Sequence, residues 1–326
     1  MPPLLEPKCF GLVVQLVRIP ACHAGGRGFE SRPDRKNKQK AATHVVAFFI
    51  YSTFMKKLIF FPILLLFFAC SSNSSKVIWA DEFDYTGRPD TSKWHHQVIP
   101  PNSWGWHNNE LQYYIDYAET SYVSEGTLKI KAIKRDYTFE GDTKEFVSAR
   151  LNSKFDFKYG RVDVRAKLPE EEGTWPAIWT LGSNVNEKGN YFGNTKGDAG
   201  WPMCGEIDIM EQTGWEKNVL KGHLHWGHTE TKEYFDEGES TNIPNPYDDF
   251  HLYSLIWTPY EITLLFDNEP FFTVPNDEKR PYDNPHYLIL NLAMGGTLGG
   301  QVPDDFNEAV MEVDYVRISS LETVFY

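Results

Sequence analysis

Cysteine is nearly missing from this sequence. Four occur in 326 residues, Cys9, Cys22, Cys70 and Cys204, and only the last two lie in the expected exported product, where lipid on Cys70 would leave no internal disulfide available. A module of about 250 residues needs no staples, because its core is large enough without them. Net positive charge is also missing. At −13, the chain is a poor candidate for sequence-independent nucleic-acid binding, which requires a basic surface. No apolar run reaches the roughly 20 residues of a membrane-spanning helix. Long amphipathic helical patterns and internal repeats are absent as well.

Aromatic residues, by contrast, are abundant. They make up 15% of the chain, with 10 Trp, 17 Tyr and 22 Phe, which disfavours coiled-coil and low-complexity readings. All the tryptophans follow Cys70. Charge is unevenly distributed: residues 1–70 hold ten Lys and Arg against three Asp and Glu, leaving −20 for the remainder. Within the basic part, Met55-Lys56-Lys57 precedes the apolar run LIFFPILLLFFA (58–69), then Cys70 and a short polar linker (71–76). This order of charged start, short apolar run and small residue predicts an export signal over 55–70. The Ala69-Cys70 junction resembles a bacterial lipobox, which predicts lipidation of Cys70 and an exported product at the cell surface or in the periplasm, otherwise secreted. Residues 1–54 are expected to contribute no chemistry, as an upstream artefact or a disordered extension. The stretch 11–33 resembles the translation of a transfer-RNA gene.

From residue 77 to 326 the pattern is that of one domain built from strands. Alternation runs through TLKIKAIK (127–134), RVDVRAKL (161–168), HLYSLIW (251–257), YEITLLFD (260–267) and MEVDYVRI (311–318). HYLILNLA (286–293) is almost continuously apolar, as a strand buried on both faces would be. Glycine and Asp-Asn turns separate the strands, and residues 184–201 and 229–249 read as long loops. The expected fold class is all-β, a sandwich of two antiparallel sheets.

GEIDIMEQTG (205–214) places three carboxylates, Glu206, Asp208 and Glu211, in an apolar strand pattern. Strand alternation puts Glu206 and Asp208 on one face and would turn Glu211 to the other. A β-bulge around Ile209-Met210 would bring Glu211 back, with the two glutamate Cα atoms about 13 Å apart. Side chains leaning together would then bring the carboxyls to about 5–5.5 Å, the spacing of a retaining glycosidase. Mutual repulsion among the three acids is expected to raise their proton affinity. On this basis Glu206 is the candidate nucleophile, Glu211 the candidate acid and then base, and Asp208 the residue that tunes them. On periodicity alone, a solvated acidic face or a calcium site stays open.

GEIDIME resembles the active-site motif of glycoside hydrolase family 16 in its bulged form, with Met210 as the residue that separates it from the unbulged motif. The resemblance extends through WADEF (79–83), NNELQYY (108–114), SARLNSK (148–154), YGRVDVRAKLP (159–169), GTWPAIWTLG (173–182), LNLAMGG (290–296) and VDYVRI (313–318). It implies a β-jelly-roll with a concave substrate cleft and, within the family, looks most like bacterial endo-β-1,3-glucanases (laminarinases). A mixed-linkage β-1,3/1,4-glucanase, an agarase- or porphyranase-like enzyme and a non-catalytic glycan-binding sandwich are the alternatives. The implied partner is a neutral β-glucan, with no nucleic acid, membrane contact only through a lipid anchor, and a monomeric state.

Sugar faces pack on flat rings, so Trp175, Trp179, Trp104, Trp106 and Trp201 are candidates for the cleft. Trp79, Trp94 and Trp257 are expected in the core. The resemblance adds Asn109, Glu110 and Arg150 as polar contacts, and His225 as a residue able to bond substrate or Glu211. His223 and His225 share a strand face but have no third zinc ligand at suitable spacing. No cofactor is expected for catalysis. A structural calcium is the one ion the resemblance implies, held by Glu82, the Gly126 carbonyl and Asp314, since oxygen-only ligation suits that ion.

Overall fold

Every second residue of RVDVRAKL is buried, and this two-residue period recurs along most of the chain in the computed structural model. The structure describes residues 75–102, 105–228, 230–280 and 282–321. The leader, Cys70, residues 1–54 and Trp104 lie outside the described residues. Those described belong to the unit Ala69–Tyr326.

Seventeen strands occur among them. The first six are β1 (Val77–Asp81), β2 (Trp94–His96), β3 (Gln112–Tyr114), β4 (Ser121–Ser124), β5 (Thr127–Phe139) and β6 (Asp142–Ser148). Next come β7 (Arg150–Phe157), β8 (Gly160–Lys167), β9 (Thr174–Gly182), β10 (Glu206–Glu211), β11 (Val219–Gly227) and β12 (Tyr234–Asn242). The last are β13 (His251–Trp257), β14 (Glu261–Phe266), β15 (Glu269–Pro275), β16 (His286–Met294) and β17 (Glu308–Ser319). The two short α-helices have four residues each. Among the described residues no helix is long and apolar enough to cross a membrane.

The strands form two sheets. One has seven strands in the order β12-β11-β10-β9-β16-β7-β2; the other has ten and is centred on β8, β17 and β5. Pairing is antiparallel except between β3 and β6, which run parallel. The expected two-sheet, all-β architecture is therefore present, with one parallel pair that alternation did not reveal. Non-consecutive neighbours such as β9–β16 and β8–β17 are the crossovers of a jelly-roll.

The core lies between the sheets. Val162 and Val164 of β8 and Leu128 and Ile130 of β5 share it with Ile178 of β9, Leu224 of β11 and Leu290 of β16. β16 is buried at all nine positions, as its continuous apolar run predicts. Trp94 and Trp257 are fully buried, and Trp79 packs partly exposed against the same cluster.

One expected loop is a strand. Within residues 229–249, β12 pairs with β11 over nine residues. Its sequence YFDEGESTN has no buried apolar row because it is an edge strand whose side chains stay mostly exposed. Backbone pairing to β11 holds it, with side-chain contacts from Tyr234, Phe235, Asp236 and Glu237 added. The other expected loop, 184–201, contains one helical turn, Gly193–Lys196, and a bridge between Val185 and Ala199.

Candidate active site

The bulge falls where the three acids require it. Against β9, Asp208 pairs with Trp179 and the next pair is Met210 with Ile178, so Ile209 is the extra residue. Against β11, the register moves from Asp208–His223 to Glu211–Lys221. Ile207, Ile209 and Met210 are fully buried in the core between the sheets. Glu206, Asp208 and Glu211 together line a cleft on the opposite face.

The carboxyls sit in a desolvated setting. Burial, more than the mutual repulsion expected from sequence, raises the proton affinity of all three. Glu206 is pushed up to about 8, by burial first and the neighbouring Glu211 second, although a hydrogen bond from Trp201 opposes the rise. Asp208 lies well above the usual carboxylate range, through burial and then its two acidic neighbours. Glu211 is raised by burial and restrained by Trp175, His223 and Lys221. Two indoles supply the opposing bonds: Trp201 Nε1 donates to Glu206 Oε2 at 3.0 Å and Trp175 Nε1 to Glu211 Oε1 at 2.9 Å.

His225 lies opposite Glu206 in the register. Its Nε2 is 3.5 Å from Asp208 Oδ2 and 3.9 Å from Glu206 Oε1, so its carboxylate neighbours are these two rather than Glu211. Burial lowers its pKa to about 4, which leaves the ring neutral near pH 7. The hydroxyl of Tyr234 is 2.8 Å from His225 Nδ1, while His223 turns its Nε2 to Asp236 at 3.0 Å. Ligand atoms of Glu206, Asp208 and His225 lie within 4.8 Å of one another. Only His225 of the His-x-His pair belongs to this set, and its other two donors come from β10.

Beside the acids, Trp179 Nε1 donates to Asn291 Oδ1 at 2.6 Å, and Asn291 Nδ2 donates to Tyr114 Oη at 3.1 Å. The Tyr114 hydroxyl in turn donates to Glu110 Oε2 at 3.1 Å, which also accepts from Gln112 Nε2 at 2.6 Å. Glu110, Trp175 and Trp179 line the same cleft segment as the acids, as does Asn291, which sequence reasoning did not single out. Its signal was a polar residue in the otherwise apolar LNLAMGG.

Other expected contacts sit elsewhere. Arg150 is 5% exposed and paired with Glu187 at 3.1 Å; its guanidinium lies 4.9 Å from the Trp179 ring and 5.5 Å from the Trp106 ring. Its guanidinium packs against the Trp179 ring from β7, where Arg150 stands opposite Asn291 in the register. Trp106 is buried in a cluster with Tyr113 and Tyr114. Asn108, not Asn109, lines the cleft, because two successive left-handed residues, φ 59° and 57°, turn the chain between them. Trp201 lines an adjoining segment of about 340 Å³ together with Asn102, Glu187 and Glu206.

Glu82, Gly126 and Asp314 are brought to one end of the ten-stranded sheet, since Asp81 pairs with Val316 and Leu128 with Val313. Both carboxylate oxygens of Glu82 accept from Arg317, at 2.8 and 2.9 Å, and Asp314 Oδ2 accepts from Arg165 at 2.8 Å. Main-chain carbonyls and the Asp314 carboxylate are a hard-oxygen set of the kind that calcium takes.

A family model for glycosyl hydrolases family 16 matches residues 109–317. The chain is 39% identical over 262 residues to the beta-glucanase of Rhodothermus marinus, covering 74% of this chain and 84% of that protein. The crystal structure of LamAcat from Zobellia galactanivorans superposes with a TM-score of 0.74 at 55% identity, covering 75% of this chain and 98% of that one. A substituted LamA from the same organism, crystallised with laminaritriose and laminaritetraose, gives the same score and identity and covers 75% of this chain and 99% of that one.

Proposed function

The chain belongs to glycosyl hydrolases family 16, and from that premise we propose that it is a retaining endo-β-1,3-glucanase in which Glu206 is the nucleophile and Glu211 the acid/base. One observation carries the role assignment: the Ile209 bulge sets both glutamates and Asp208 on one desolvated face, each glutamate held by an indole N–H. Relatives acting on β-1,3-glucans support the substrate.

The acids titrate as one coupled unit, and the productive form is the one in which Glu206 has lost its proton and Glu211 keeps one: in the first step Glu206 then attacks the anomeric carbon as the C–O bond to the leaving sugar breaks, and Glu211 gives its proton to the departing oxygen. The Trp201 N–H steadies the charge on Glu206 before attack. Asp208, the more buried of the two β10 acids beside His225, keeps its proton and shares it with Glu206. In the second step, Glu211, now ionised, takes a proton from water, whose oxygen attacks the glycosyl-enzyme and restores Glu206. Neutral His225 holds Asp208 and Glu206 in place without adding charge.

Trp175 and Trp179 flank the reacting sugar, and Asn108 and Glu110 supply polar contacts. The enzyme is read as an exported lipoprotein anchored through Cys70, acting as a monomer. Calcium is the proposed ion at the Asp314 end of the ten-stranded sheet. Incubation with laminarin should release reducing ends, with the β-anomer appearing first by proton NMR. Azide should rescue Glu211→Ala on an activated aryl substrate. Initial release of the inverted anomer would remove Glu206 as nucleophile, and inactivity on laminarin would favour the galactan or binding-only alternatives.

A further inference from the structure

Trp215 is 56% exposed, yet it is held as firmly as a core residue. Its Nε1 donates to the Leu298 carbonyl at 2.7 Å. The Lys221 ammonium lies 5.3 Å from the ring centroid, and that lysine is pinned by Glu216 at 2.6 Å. The turn beneath is closed by glycine: a Cβ at Gly214 would sit 1.9 Å from the Glu171 carbonyl oxygen, and one at Gly300 would stand 3.2 Å from the indole. An exposed Trp left to solvent has no need of this construction.

Its position gives the construction a purpose. Trp179 and Asn291, on β9 and β16, lie on one side of the catalytic strand, and β11 and β12 lie on the other. The cleft continues over that second side as a segment of about 460 Å³ whose wall includes Lys221, Thr297 and Leu298. Lys221 is the register partner of Glu211. If the reacting sugar occupies the Trp175–Trp179 side, the leaving chain passes over β11 and β12, beside the lip where Trp215 stands. The hydroxyl of Thr297 donates to the Asn108 carbonyl at 3.0 Å and ties this lip to the opposite wall.

From this arrangement we infer that Trp215 is the stacking platform of an acceptor-side subsite for a glucose unit of the leaving or incoming chain, with Lys221 beside it as hydroxyl donor. A ring edge-clamped by its N–H presents a fixed face, and the C–H face of a pyranose packs on such a surface. The proposal rests on the glucanase reading and adds a position to its cleft. Because an acceptor bound there competes with water for the glycosyl-enzyme, the same residue sets the share of transglycosylation.

Trp215→Ala and Trp215→Phe, in the full chain, are compared on two substrates: laminarihexaose, whose leaving group is sugar, and an aryl laminaribioside, whose leaving group is not. The alanine variant should lose about tenfold more kcat/KM on the hexaose than on the aryl substrate, and its products should shift from transfer toward hydrolysis. The phenylalanine variant should recover most of the loss. Should Trp215→Ala lower the unfolding midpoint, Trp215→Gln, which keeps an N–H donor for the Leu298 carbonyl but offers no ring face, provides the same substrate comparison. Equal losses on both substrates, or none on either, would overturn the subsite. An unsubstituted enzyme inactive on both would instead overturn the glucanase reading, and the platform with it.

Discussion

Trp175 donates its indole N–H to Oε1 of Glu211 across 2.9 Å, one of several contacts that oppose the effect of burial on this acid. Glu206 has its own indole donor in Trp201, but only Glu211 also faces Lys221 and His223, whose charges favour ionisation. The pair therefore titrates as a coupled unit in which every group is raised by burial and Glu211 is the most restrained.

Replacing Trp175 by Phe should move the alkaline limb of the kcat/KM profile to higher pH. The indole bond stabilises ionised Glu211, so its loss raises the proton affinity of the acid and keeps it protonated further into the alkaline range. Turnover should fall several-fold at the same time, because the carboxyl loses an orienting contact. A limb displaced to lower pH would contradict the assignment of Glu211 as the acid.

Glu206→Gln should stabilise the protein, and more so as pH rises. An unfolded glutamate ionises in the usual carboxylate range, whereas folded Glu206 holds its proton to about 8. Between these values the native state binds more protons than the unfolded one, so this group's contribution falls as pH increases through the window. Glutamine has nothing to ionise. The difference in Tm between variant and parent should widen from pH 5 to pH 8 by about 2–4 °C or more, as read by calorimetry. A constant difference would mean that Glu206 carries no perturbed proton.

Calcium removal offers a third check. If Asp314 and the carbonyls of Glu82 and Gly126 bind the ion, EDTA should lower the Tm of the parent, and added calcium should restore it. Asp314→Asn should weaken that response. Arg317 and Arg165 already donate to the carboxylates of Glu82 and Asp314, so a Tm indifferent to EDTA would show that the two arginines serve in place of a cation.

Much of the catalytic strand was legible because its chemistry conflicts with its period: a carboxylate at an odd offset in an apolar strand is costly unless a bulge turns it outward. β16 was legible for the opposite reason, an unbroken apolar run. β12 was not, since an exposed edge strand is held by backbone bonds that leave no mark on side-chain pattern. The exchange of Asn109 for Asn108 reflects two left-handed residues whose facing cannot be read from letters. Arg150 and Trp106 carry the right chemistry for a cleft but are buried, because the ion pair with Glu187 and the packing on Trp179 and Tyr114 depend on contacts remote in sequence.

Deleting Met210 tests whether the bulge or merely the face matters. Without one residue the strand reads Glu-Ile-Asp-Ile-Glu, and simple alternation places all three acids on the same side with no bulge. The fully buried methionine is lost from the core, which should cost about 2–5 kcal/mol and appear as a lower Tm. Glu206, Asp208 and the second glutamate keep their common face, so residual activity on laminarin should remain well above that of Glu211→Ala. The direction of the bulge also sets where Lys221 meets the second glutamate, and removing it should shift the pH profile of whatever activity survives. Activity no higher than the alanine background, in a protein that still unfolds cooperatively, would show that the extra residue at Ile209 positions the acid to better than one strand step.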